Sequence, residues 1–272
     1  MTNEPKQIPI TDSGCAGCPM YNPGHLERLG VDMSESDYVV GLAGNPNVGK
    51  STVFNSLTGL RQHTGNWPGK TVTRAEGGFV YDGARYKLVD LPGTYSLLST
   101  SLDEEVARDF ILFGRPDVTI VVLDATRLER NLNLALQVLE ITDRAVICLN
   151  LMDEATRRGL KIDDRRLARD LGVPVVPTAA RQGKGLDELL RAVNDVATGR
   201  SVGRPYRVRQ RSAAVSRAVD ELVGQITQVF PDLPNARWVA MRLLDGDENI
   251  AESIRSGELG QLSRAPRLEV AA

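Results

Sequence analysis

The chain has 272 residues, 42% of them hydrophobic and 25% charged, a length that buries a full core and leaves room for one ordinary domain plus a smaller one. Its formal net charge of −2 excludes the broad basic field that nucleic-acid binding needs, so no nucleic-acid partner is expected. No apolar run approaches the roughly 18 residues of a membrane helix, and residues 1–9 lack the basic and apolar parts of a secretory signal, so the sequence reads as soluble and cytosolic.

Residues 1–36 contain Pro5, Pro9, Pro19 and Pro23 among scattered glycines and read as an extension, partly disordered. Cys15 and Cys18 form C-x-x-C there, with His25 downstream. A fourth metal ligand is missing, and a flexible tail with two neighbouring thiols is the better reading. Residues 38–43 form a buried strand and 52–57 the first turns of a helix. Residues 61–70 are polar and Gly-rich, a mobile loop. Residues 72–81 and 84–90 are strands joined by a hairpin turn at Asp82-Gly83. Residues 102–113 are helical, and 117–124 are a buried strand. Residues 128–142 form an amphipathic helix whose face carries Leu132, Leu136 and Leu139. Strand 144–151 encloses Cys148 as a core residue; helix 164–171, strand 173–177 and helix 186–198 complete the unit. The alternation predicts an α/β fold with a six-stranded, mostly parallel sheet covered on both faces, the hairpin making one edge strand antiparallel. Beyond residue 200 no strand is evident: 213–230, 236–244 and 247–256 read as helices. The expected organisation is an extension over 1–36, an α/β domain over 37–200 and a small helical domain over 201–272, too short to be complete.

Between the first strand and helix, Gly44, Asn45, Pro46, Asn47, Val48, Gly49, Lys50 and Ser51 match G-x-x-x-x-G-K-[ST]. Glycines let successive backbone N–H groups curl around a phosphate chain, and the helix opening at Thr52 adds its unpaired donors. Lys50 is placed to neutralise the outer phosphates and the Ser51 hydroxyl to bind magnesium. A Gly-rich turn that matches by chance is the bland alternative, and the strand–loop–helix setting argues against it. Asp90-Leu91-Pro92-Gly93 is D-x-x-G at a strand end: Asp90 would hold magnesium through water, and the Gly93 N–H would meet a γ-phosphate. Asn150-Leu151-Met152-Asp153 is N-x-x-D, where Asp153 can accept two hydrogen bonds from guanine that adenine cannot donate. Thr178-Ala179-Ala180 would offer a backbone donor to the guanine oxygen. Thr71 is the candidate second hydroxyl on magnesium, although a threonine in a strand is ordinarily just a strand residue.

These elements in this order are the signature of the small GTPases, which implies a Ras-like P-loop fold. A narrower resemblance lies in Gly65-Asn66-Trp67-Pro68-Gly69-Lys70-Thr71-Val72, in residues 90–97 and in residues 124–132, which look like the cytosolic N-terminal region of the bacterial ferrous iron transporter FeoB. It covers residues 38–198 strongly. The helical tail, through Arg237-Trp238-Val239-Ala240-Met241-Arg242-Leu243-Leu244, is similar to that family's nucleotide-dissociation-inhibitor domain.

The resemblance implies GTP and GDP binding, Mg²⁺, and slow GTP hydrolysis with Asn47, Lys50, Thr71 and Gly93 as the catalytic set. It also implies coupling to a transmembrane iron-permease portion of the same polypeptide at the cytoplasmic face of the bacterial inner membrane. Small accessory proteins of iron uptake are conceivable partners; the oligomeric state stays open. Many GTPases carry a Gln after the D-x-x-G glycine, and here Thr94 stands there. Asn47 matches the position that holds K⁺ in cation-activated members, a loop-capping side chain being the alternative. Trp67 reads as an anchor for its loop and His63 as a solvated loop residue. The rival functions are a soluble GTPase of ribosome assembly or RNA modification and a low-turnover partner switch.

Overall fold

The computed structural model describes residues 26, 29–32, 35–59, 62–98, 101–207, 212–257 and 259. The centre of the sheet is set by three apolar runs. β1 (Tyr38–Gly44), β5 (Val118–Asp124) and β6 (Ala145–Asn150) are buried along almost their whole length, as strands covered on both faces must be. With β2 (Gln62–Asn66), β3 (Thr73–Tyr81), β4 (Ala84–Asp90) and β7 (Val175–Pro177) they form a sheet in the order β2-β3-β4-β1-β5-β6-β7. Pairings from β4 through β7 are parallel and those of β2–β3 and β3–β4 antiparallel.

The sheet therefore has seven strands, not the expected six, and the antiparallel strand β3 is inside the edge. The added strand is the stretch read as a mobile loop. All five β2 residues are exposed, so the stretch carries no alternation, and backbone pairing from Gln62–Gly77 to Asn66–Thr73 alone defines it.

On the faces lie α1 (Lys50–Thr58), α2 (Leu102–Asp109), α3 (Leu128–Ile141), α4 (Met152–Arg157), α5 (Asp164–Leu171) and α6 (Leu186–Ala197). Ser101 caps α2 by accepting from the Glu104 N–H, and the helix relaxes into a π-turn over Phe110–Gly114 where one continuous helix was expected. The buried stripe of α3 also differs from expectation: Asn131, Leu134, Ala135, Val138, Leu139 and Ile141 face the core, while Leu136 is 42% exposed. Asn131 belongs to that stripe because its amide donates to the Arg127 carbonyl at 2.8 Å and closes the helix start.

Among the described residues the tail carries three helices, α7 (Ala213–Val229), α8 (Ala236–Leu244) and α9 (Glu248–Arg255). It is clasped to the C-terminal end of α3, whose last carbonyls lack helical partners. Asn235 Nδ2 donates to the Glu140 and Ile141 carbonyls at 2.8 and 3.0 Å, while its Oδ1 accepts from the Trp238 N–H. Arg207 Nε takes the Leu139 carbonyl at 3.0 Å. Within the segment read as a partly disordered extension, Leu26 and Val31 are buried in the core. Cys15, Cys18 and His25 lie outside the described residues.

Candidate functional site

The loop from Gly44 to Lys50 is built to face an anion. Asn47 and Gly49 take left-handed backbone angles, φ 67° and 84°, and turn the chain sharply between β1 and α1. At Gly49 no other residue fits: a Cβ there would stand 2.5 Å from Asn150 Nδ2. The N-terminus of α1 has no side-chain cap and no acidic residue in its first turn, so its N–H donors and positive dipole end are left for an external partner. Lys50, at the first position of α1, pairs with the Asp90 carboxylate across from it. Ser51 is exposed on the same turn. Uncapped donors, the Gly49 turn and a lysine beside them fit a phosphate chain, and the Ser51 hydroxyl with the Asp90 carboxylate fits a hard divalent cation.

Asp90 ends β4, and burial pushes its carboxyl above the ordinary range while Lys50 pulls it back. A carboxyl of this kind favours the fold below its unfolded value and loses that contribution as pH rises through its folded value. Lys50→Met removes the counter-ion and strands the carboxylate. The expected cost is about 1–2 kcal/mol near neutral pH, shrinking as acid protonates Asp90. Urea melts of parent and variant from about pH 7 down through the acid range test this. A deficit that does not shrink as the pH falls would show that the pair is not its origin.

After Asp90 the chain is fixed to β1: the Leu91 N–H donates to the Leu42 carbonyl at 3.0 Å and the Thr94 N–H to Gly44 at 3.3 Å. Gly93 consequently faces Pro46 across the phosphate loop, where even a Cβ would meet Pro46 Cα only at 3.6 Å. Farther along, the backbone N–H of Leu97 donates to Gln137 Oε1 on α3 at 2.6 Å, and the Arg130 guanidinium lies over the Tyr95 ring at 4.5 Å.

At the other end of the site Asn150 is a tether more than a ligand. It is 1% exposed; its Nδ2 donates to the Val48 carbonyl at 3.0 Å, and its Oδ1 accepts from the Ala180 N–H at 3.1 Å. One amide thus locks the phosphate loop to the loop after β7. That engagement alters the reading of Thr178, Ala179 and Ala180 as free donors. Their N–H groups are held by the Leu149 carbonyl, the Lys184 carbonyl and Asn150 Oδ1 respectively, because the segment ends a strand and enters a tight turn. Asp153 stands in the first turn of α4, entered through Leu151 at φ 62°, and Met152 is fixed by its N–H to the Thr178 carbonyl at 3.1 Å. Gln182 Nε2 donates to Asp153 Oδ2 at 2.8 Å. Sequence reading passed over Gln182, and nothing in the N-x-x-D spacing points to it.

Thr52 continues α1 beside Ser51. The structure therefore gathers Gly44 through Thr52, Asp90, Gly93, Asn150, Met152, Asp153 and Thr178 to Ala180 at the carboxyl ends of the parallel strands, where open α/β sheets bind ligands. Thr71 is exposed in the turn after Trp67, and among the described residues no hydrogen bond joins it to Ser51 or Asp90. A cavity of about 480 Å³ also opens on the flank of the phosphate loop, lined by Asn45, Asn47, Tyr95, Arg127, Arg130 and Arg158 among others. Residues of α3 and α4 contribute to its wall, and Ser51 and Asp153 are not among the residues lining it.

Residues 38–193 match the family described as ferrous iron transport protein B, and residues 212–269 match the FeoB cytosolic helical domain. The chain belongs to the FeoB family. Its α/β unit is the FeoB G domain, a domain of the GTPase class, and the helices after it are the family's cytosolic helical domain. It is 41% identical over 226 residues to the Fe(2+) transporter FeoB of Salmonella typhimurium, covering 82% of this chain and 28% of that protein. The cytosolic domain of Legionella (L. pneumophila) FeoB superposes with a TM-score of 0.73 at 34% identity, covering 82% of this chain and 88% of that one. The cytosolic domain of the T. maritima FeoB iron transporter, in a GDP form, gives 0.71 at 36% identity over 86% of this chain and 88% of that one. The chain spans about 28% of the length of the full FeoB relatives, and among its described residues no helix is long and apolar enough to cross a membrane.

Proposed function

We propose that this chain binds GTP and GDP with Mg²⁺, hydrolyses GTP slowly, and reports its nucleotide state to a transmembrane portion that moves Fe²⁺ across the bacterial inner membrane. The observation that carries the nucleotide part is the uncapped start of α1 behind the Gly49 turn, with Lys50 and Asp90 paired beside it and Asp153 held by Gln182 at the far end. In this reading Lys50 and the loop N–H groups hold the β- and γ-phosphates, Ser51 and Asp90 hold the metal, and Asp153 reads the base. The bound Mg²⁺ supplies charge neutralisation on the phosphates. Iron transport as the purpose is supported by the family, whose full-length relatives are Fe(2+) transporters. That membership also weighs against a ribosome-assembly or RNA-modification role.

The decisive experiment titrates fluorescent GDP and ADP with and without Mg²⁺ and follows phosphate release from GTP. Guanine should be preferred by about a hundredfold or more, since adenine leaves the Asp153 contacts unmade. Equal affinity for the two bases would refute the assignment.

The helical tail is expected to tune nucleotide release through α3, which touches the Leu97 backbone at Gln137 and the tail at Glu140 and Ile141. Asn235→Ala removes the clasp on α3 and should change the GDP off-rate several-fold, by about 1 kcal/mol. A stopped-flow chase measures it. An unchanged off-rate would leave the tail as a spacer.

A further inference from the structure

Leu26 and residues 29–32 precede the first strand, and they pack on the loop that carries Thr71. The Val31 N–H donates to the Leu26 carbonyl at 2.9 Å around Gly30, whose φ is 80°. This six-to-one bond about a left-handed glycine is a Schellman closure, which brings Leu26 and Val31 together as one apolar knob. Both are buried in the cluster that holds Trp67, Phe110 and Phe113. A Cβ on Gly30 would lie 2.6 Å from Arg74 Nη1 and 2.8 Å from Pro68 Cγ, so the backbone sits directly on the loop. Arg74 is the link between the two. Its Nη1 donates to the Leu29 carbonyl at 2.9 Å, and its guanidinium lies over the Trp67 ring at 5.4 Å.

The loop is also gripped from α2. Trp67 meets Phe110 edge-on, centroids 5.6 Å apart, and Lys70 Nζ pairs with Glu105 at 2.7 Å and lies 3.8 Å from Asp109. The Trp67 N–H to the Val72 carbonyl and the Lys70 N–H to the Trp67 carbonyl, both 3.0 Å, close the turn and leave Thr71 exposed on it. Within this turn one buried side-chain polar atom is unsatisfied. Trp67 Nε1 is buried and has no acceptor among the described residues, a penalty that is relieved when the loop lifts and the indole meets water. The docked loop is thus well packed but poised to leave.

We propose that Leu26 and residues 29–32 act as a strap that parks the Trp67–Thr71 turn against α2, so that Thr71 reaches the metal only when the strap lets the turn go. The proposal rests on the reading of Thr71 as a magnesium ligand. It makes the chain ahead of the G domain a control element: whatever pulls on that chain sets how readily the triphosphate state forms.

The test uses the full chain in a Trp238→Phe background, which leaves Trp67 as the sole tryptophan. Gly30→Val, strained and clashing at its position, and Val31→Glu are two independent ways to loosen the strap. Acrylamide quenching of Trp67 is measured without nucleotide, and the Mg²⁺ concentration for half-maximal binding of a non-hydrolysable GTP analogue is measured separately. Both variants should raise quenching. They should also lower the Mg²⁺ requirement, by about tenfold if the parked form dominates ten to one, and leave GDP affinity unchanged. Unchanged quenching in both variants would overturn the strap. Raised quenching with an unchanged Mg²⁺ requirement would overturn the gating of Thr71. A parent that binds no GTP analogue at any Mg²⁺ concentration would instead overturn the nucleotide reading, and the gating with it.

Discussion

Asp153→Asn should move the preference of this protein from GTP to xanthosine triphosphate. Guanine presents a ring N–H and an exocyclic amine to the carboxylate; xanthine carries an oxygen where the amine was. The local geometry favours a clean reversal. Gln182 Nε2 donates to Asp153 Oδ2 at 2.8 Å, and in the variant that donor selects the amide rotamer that keeps an oxygen on it. The new NH₂ is then turned toward the base, a donor facing guanine's own donors. Losing the paired contact and leaving a donor unmatched should cost about 3 kcal/mol or more, roughly a hundredfold in affinity for GTP. Xanthosine triphosphate should recover most of it. The measurement is competition of the two triphosphates against a fluorescent GDP, for parent and variant side by side. A variant that keeps the parent's preference for GTP would remove Asp153 from base reading. Gln182→Ala is expected to blunt the switch, because the amide is then free to rotate.

The phosphate loop, D-x-x-G and N-x-x-D were legible because each is a local pattern at the end of an apolar strand, and a buried strand announces itself by its run of Val, Ile and Leu. β5, with all seven residues buried, is the clearest case. What stayed hidden depends on partners distant in sequence. Nothing local says that Gln62–Asn66 pairs with β3, since its side chains are all exposed and only its backbone is committed. Nothing in N-x-x-D tells whether the Asn faces a ligand or ties two loops together, and the Asn150 contacts to Val48 and Ala180 span 102 and 30 residues. Trp67 was legible as an anchor by its chemistry, an apolar ring in a polar stretch. What it anchors to, Phe110 and the Arg74 that also holds Leu29, was not.

Hydrolysis should be faster in K⁺ than in Na⁺ at equal ionic strength, and Asn47→Ala should abolish the difference while sparing GDP binding. The residue after the D-x-x-G glycine is Thr94, where many GTPases orient the attacking water with a Gln. Here the side chain is 5% exposed and its backbone is fixed to Gly44, so it is neither long enough nor free enough for that task. Intrinsic turnover should be slow unless charge on the breaking γ-phosphate bond is neutralised otherwise. Asn47 sits at the turn of the phosphate loop with φ 67°, exposed. If its amide capped the loop, a hydrogen bond to a neighbouring backbone group would be present, and among the described residues its side chain makes none. An exposed amide oxygen at that place suits a monovalent cation shared with the phosphate oxygens, one that stabilises developing charge as an arginine finger does elsewhere. Such a contact acts mainly in the transition state, so its loss should fall on turnover and scarcely on affinity. The expected gap between K⁺ and Na⁺ is on the order of tenfold to a hundredfold, the range for removal of one charge-stabilising contact. Single-turnover phosphate release in matched KCl and NaCl reads it directly, with GDP affinity measured in both salts as the control. Equal rates in the two salts for the parent would sink the cation; a variant that keeps the difference would move the ion to other ligands.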